Sequence, residues 1–62
     1  MMHYDSTGKV VQIGDRVRFR GEKFTIKRFY GKSMRGDISL IEFEEQITHS
    51  SEIPDEWSID LI

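Results

Sequence analysis

Through the middle of the chain, apolar and charged residues alternate at every second position. From Asp15 to Lys27, Val17, Phe19, Phe24 and Ile26 fall on one face of an extended chain. Arg16, Arg18, Arg20, Lys23, Thr25 and Lys27 fall on the other. This predicts a β-hairpin over Gly14–Tyr30. Gly21-Glu22 reads as its two-residue loop, with glycine at the first central position of a type II′ turn. That loop sets Arg20 opposite Lys23, Phe19 opposite Phe24, Val17 opposite Ile26 and Arg16 opposite Lys27. A slip of one residue would mix the two faces, so this register is expected to be well specified. Arg28-Phe29 breaks the alternation, and a bulge or bend near Lys27–Phe29 is expected to return Phe29 to the core.

The same reading extends outward from the hairpin. Val10–Ile13 is a short extended piece, turned into the hairpin at Ile13-Gly14-Asp15. Asp37–Glu45 is a third long strand, with Ile41 and Phe43 inward and Glu42 and Glu44 outward. Pro54-Asp55-Glu56 suits one helical turn, and Trp57, Ile59 and Leu61 alternate as a last strand. Five strands are therefore expected, near 10–13, 15–20, 23–30, 37–45 and 57–61. The expected fold class is all-β: one small five-stranded barrel over residues 1–62, with a short 3₁₀ turn before the last strand. Residues 1–9 are expected to be loosely attached, with Asp5-Ser6-Thr7-Gly8 as a turn. The expected core is Val17, Phe19, Phe24, Ile26, Ile41, Phe43, Trp57, Ile59 and Leu61, with Trp57 as its anchor.

Charge sharpens the picture. The net charge is −2, yet all nine Lys and Arg lie between Lys9 and Arg35. Residues 1–36 balance to +6 and residues 37–62 to −8. Like charges directly opposite one another destabilise a strand pair, so the basic face needs either neutralising carboxylates or an anionic ligand. Glu42, Glu44 and Asp60 are the expected neutralisers. The loop Gly31–Gly36 reads either as a plain connection or, through Lys32, Met34 and Arg35, as a basic contact loop.

There are no cysteines, which excludes disulfides and thiolate metal sites. No long apolar run suits a transmembrane helix. Met1-Met2-His3-Tyr4 has neither the basic nor the apolar stretch of a signal peptide, and a cytoplasmic location is expected. His3 and His49 read as exposed loop histidines, without the converging ligands a metal site needs. Glu44 and Glu45 point to opposite strand faces, and no nucleophile–base–orienter set is found. No enzyme activity, cofactor or metal is expected. For nucleic acid, the arginine–lysine stripe offers phosphate contacts and Tyr30 or Phe29 a stacking platform. The sequence pI of about 5.6 opposes that reading.

Val11-Gln12-Ile13-Gly14-Asp15-Arg16-Val17, a short strand, then Gly-Asp, then an alternating strand, resembles the opening of SH3-like small barrels, including KOW-type ones. The turn at Pro54–Trp57 is similar to the short turn before the last SH3 strand. The stretches GDRVRFRGE, IEFEE and PDEWSIDLI also resemble small uncharacterised phage and prophage proteins. The glycine-rich continuation of KOW motifs is replaced by Gly21-Glu22-Lys23, so the resemblance implies the fold and not an RNA activity. It implies a small accessory module with an exposed sheet edge for a protein or peptide partner, monomeric or weakly dimeric, away from membranes. The alternative is a nucleic-acid-binding barrel using the basic face of the 15–28 hairpin. The candidate binding surface is Arg16, Arg18, Arg20, Lys23, Lys27, Tyr30, Lys32, Met34 and Arg35.

Overall fold

The computed structural model describes residues 2–30, 40–45 and 54–62. Among them are six short strands and no helix: β1 (His3–Tyr4), β2 (Val10–Val11), β3 (Arg16–Phe19), β4 (Glu22–Tyr30), β5 (Leu40–Phe43) and β6 (Asp60–Leu61). The protein is all-β, built as a two-stranded sheet, β1-β2, and a four-stranded antiparallel sheet ordered β5-β4-β3-β6. The described strands do not close into a barrel, and they number six rather than five. The strand missing from the sequence reading is β1. Residues 37–39 of the expected third strand lie outside the described residues.

The central hairpin forms with a different loop. Arg16 pairs with Thr25, Val17 with Phe24, Arg18 with Lys23 and Phe19 with Glu22. The loop is Arg20-Gly21, and both residues have positive φ, 52° and 80°. Two successive positive φ values define a type I′ turn, whose twist matches that of the flanking strands. Glycine satisfies the second position here as readily as the first position of a type II′ turn. Electrostatics separates the two registers. The expected one places two like-charge pairs face to face, Arg20 with Lys23 and Arg16 with Lys27, whereas the observed one places only Arg18 with Lys23 so. The registers differ by two residues, so every side chain keeps its expected face.

The expected bulge is present: the β4–β5 register shifts between Ile26 and Arg28, from Ile26↔Phe43 to Arg28↔Glu42. Phe29 then faces Ile41 and packs against the core. The buried core is Val11, Val17, Phe19, Phe24, Ile26, Ile41, Phe43 and Ile59. At its centre Phe24 stacks on Phe43 with ring centroids 4.6 Å apart, and Phe19 leans on both. Trp57 is not the anchor; it is 48 % exposed. The Asp55 carboxylate accepts the Trp57 amide and the Ser58 hydroxyl, and its carbonyl accepts the Ser58 amide at 3.0 Å. Trp57 therefore rides on a turn, and the last strand begins three residues later.

Two carboxylates tie the ends of the chain together. Asp5 is 1 % exposed. Its Oδ1 accepts the Thr7 amide, the Thr7 hydroxyl and the Lys9 amide, and its Oδ2 accepts the Leu61 amide at 2.9 Å. Burial raises the Asp5 pKa, but these hydrogen bonds outweigh it and bring it down to about 2. Glu56 is fully buried and accepts the Tyr4 amide at 2.9 Å. The Asp5–Gly8 turn forms as expected, but residues 2–9 are held by it and by β1–β2 pairing rather than loosely attached.

Candidate functional site

Strand alternation carries Arg16 and Arg18 outward from β3, and Lys23 and Lys27 outward from β4; all four are exposed, as is Arg20 in the turn. Lys32, Met34 and Arg35 lie outside the described residues. What differs along the face is how the cations are accompanied.

At the end of the face away from the turn, the bulge places Lys27 and Arg28 beside one carboxylate. Arg28 Nε lies 3.0 Å from Glu42 Oε1, and Lys27 Nζ lies 3.6 Å from Glu42 Oε2. The Tyr30 hydroxyl donates to Glu42 at 2.5 Å, and the Arg28 guanidinium lies 5.8 Å from the Tyr30 ring centroid. The Tyr30 hydrogen bond, with Arg28 and Lys27 nearby, lowers the Glu42 pKa; the same bond raises that of Tyr30. Both shifts favour the arrangement seen, carboxylate ionised and phenol protonated.

A second acid serves Arg16. Glu45 Oε1 accepts the Thr25 amide at 2.7 Å, and Oε2 accepts the Thr25 hydroxyl at 3.0 Å and Arg16 at 3.1 Å. The Thr25 amide bond leads the causes that lower the Glu45 pKa. Glu44 was the expected partner by alternation. The strand ends at Phe43, however, and the Glu44 amide turns to the Thr25 carbonyl at 2.8 Å. Past that point the two-residue period no longer applies, and Glu45 is the residue that reaches back.

The turn end is different. Arg18 lies between Lys23 on β4 and Asp60 on β6. Asp60 was expected to neutralise it, but its carboxylate accepts the Ser6 hydroxyl. Among the described residues neither Arg18 nor Lys23 makes an ion pair. Arg20 stands next to them, with its guanidinium 5.9 Å from the Phe19 ring centroid.

Both edges of the four-stranded sheet are partly covered. The Ile41 amide donates to the Pro54 carbonyl alongside β5, with Leu40 bridged to Asp55. Alongside β6, the Ser6 amide donates to the Ile59 carbonyl and the Leu61 amide to Asp5. No known protein family, curated protein or solved structure matches the chain.

A groove of about 420 Å³, lined by His3, Val11, Gln12, Ile13 and Phe29, was not foreseen. Its wall is the His3 ring stacked on Phe29, 3.8 Å between centroids. His3 is thus a half-buried strand residue rather than an exposed loop histidine; burial lowers its pKa, while nearby Glu56 acts in the opposite direction. His49 lies outside the described residues. The signal available in the sequence was the exposed-phase Ile13 beside the turn, but nothing local announced β1. Among the described residues no cluster of His, Asp or Glu is arranged for a metal ion, and no helix is long and apolar enough to cross a membrane.

Proposed function

We propose that this chain is a small non-enzymatic binding module that docks a protein or peptide partner through the outer face of the β3–β4 hairpin. The observation that carries the reading is the engagement of Arg16, Lys27 and Arg28 by Glu45 and Glu42, with the half-exposed Tyr30 beside them. A face of interleaved sign with an amphipathic aromatic suits a protein surface, where charge complementarity sets register and tyrosine supplies contact area. A nucleic acid asks for a continuous cationic track. The fold reading that accompanies this is an SH3-like small β-domain of the phage-accessory type, working in the cytoplasm. The Gly-Asp entry to β3, the central hairpin and the turn before the last strand support it.

The test is a photo-crosslinking residue at Ile62, which is exposed and follows Leu61 beside Arg16. A second goes at Ile13 in the groove. Protease-sensitive, nuclease-resistant adducts from position 62 in the native cell are expected. Nuclease-sensitive adducts there, or adducts from position 13 alone, would overturn the reading.

A further inference from the structure

We infer that the tip of the hairpin is the part that selects the partner: Arg18 and Lys23, presented by the Arg20-Gly21 turn, hold paired carboxylates on an acidic segment of another protein. This rests on the docking reading above and names the partner's chemistry.

Three features converge at the tip: two work against stability, and the third leaves the repulsion without a paired acid. Arg18 and Lys23 are directly opposed on neighbouring strands. By the alternation of an antiparallel ladder, counted from the turn, theirs is a non-hydrogen-bonded position, where side chains approach most closely. The nearest cross-strand acid, Asp60, is taken up by Ser6. Finally, Arg20 occupies left-handed backbone at φ 52°, where a type I′ turn favours asparagine, aspartate or glycine. A side chain with a Cβ is strained there. A conventional Asn-Gly turn and a threonine pair at positions 18 and 23 would suit the hairpin better. Local rules broken together at one exposed spot, while the same face is neutralised a few residues away, mark a surface shaped for something outside the chain.

The ligand chemistry follows from the side chains. Arginine presents a planar fork that accepts a carboxylate through two parallel hydrogen bonds, and lysine adds a mobile point charge. Phosphate oxygens would satisfy the same groups. The surroundings favour the smaller anion: the cationic spot is two side chains wide with Asp60 on its other flank, so side-chain carboxylates can turn individually onto it, whereas a phosphodiester chain carries its charge in the backbone and would run past Asp60. A short acidic peptide places its carboxylates on the cations and its remaining surface elsewhere.

Fluorescence anisotropy of a labelled poly-glutamate peptide, its poly-glutamine counterpart and a poly-thymidine oligonucleotide of equal length tests this at low and physiological salt. The wild type should bind the glutamate peptide and neither of the others. The double variant Arg18→Gln, Lys23→Gln should lose about ten-fold or more, since each exposed charge contact is worth up to about five-fold. Lys9→Gln, a single cation removed outside the hairpin, should leave binding unaltered. Melting of the double variant at or above the wild-type temperature is expected, which separates lost binding from lost folding. A glutamate peptide that does not bind, or that binds the double variant equally, overturns the tip assignment while leaving the position-62 crosslinks to decide the docking reading. Tighter binding of the oligonucleotide overturns both.

Discussion

The two ends of the β3–β4 hairpin carry the same kind of side chain under opposite arrangements. Away from the turn, Arg16, Lys27 and Arg28 each lie against a carboxylate, and Glu42 and Glu45 also hold Tyr30 and Thr25 in place. At the turn, Arg18 and Lys23 face each other without a carboxylate partner among the described residues. The sheet, the exposure and the residue types are shared, so the contrast comes from where the acids are placed. The β4 bulge and the end of β5 bring Glu42 and Glu45 to the end away from the turn. The lesson is that a basic face read as a unit from sequence divides into cations held by carboxylates and, at Arg18 and Lys23, an opposed pair without a carboxylate partner among the described residues.

The strongest way to break the comparison is to remove its common support. Phe24 lies beneath the face and stacks on Phe43. Phe24→Ala should cost about 3–5 kcal/mol, comparable to the whole stability of a domain this size, and circular dichroism should show a largely unfolded chain. A variant that still melts cooperatively near the wild-type temperature would contradict the core described above.

Acidification comes next. The Asp5 pKa of about 2 in the folded chain lies below its value of 3.8 in an unfolded one. A depressed folded pKa stabilises the protein above the unfolded value, and that contribution is lost as pH falls through the folded one. Asp5 should therefore supply about 2 kcal/mol at neutral pH, disappearing between about pH 4 and pH 2. Asp5→Asn should melt lower at neutral pH and show a flatter acid limb in a pH series; an unchanged limb would remove Asp5 from its role joining the N-terminal turn to β6.

The tip should respond in the opposite sense. Arg20→Asn, which keeps the type I′ turn and relieves the left-handed arginine, should gain about 0.5–1 kcal/mol in urea unfolding. Lys23→Thr should gain about 0.2–1 kcal/mol by ending the cross-strand repulsion. Glu42→Gln with Glu45→Gln should lower the melting temperature slightly and increase retention on heparin, because it frees Arg16, Lys27 and Arg28. Loss of stability on substituting the tip, or no change in heparin retention on substituting the acids, would erase the distinction between the two ends.

Sequence periodicity read the faces well because a two-residue period survives a two-residue error. Gly21 served either turn type, so the loop was misplaced, yet Val17, Phe19, Phe24 and Ile26 still pointed inward. The bulge was legible because Arg28 visibly broke the pattern. What escaped was set by contacts between distant parts of the chain. Asp5 meets Leu61, and Tyr4 meets Glu56, across more than fifty residues. Their burial follows from those amides needing acceptors, which no local window displays. Trp57 was misread because size and phase suggested a core anchor, whereas Asp55 had already made a turn of its surroundings. Glu45 was passed over for Glu44 because the alternation was carried past the strand's end.

The most direct test is a double-mutant cycle on Arg18 and Lys23, each replaced by threonine singly and together, with unfolding free energies measured in urea at low salt. The account predicts a repulsive coupling of about 0.2–1 kcal/mol that shrinks as salt is added. A coupling of zero, or an attractive one, would contradict the claim that the tip is held against its own repulsion.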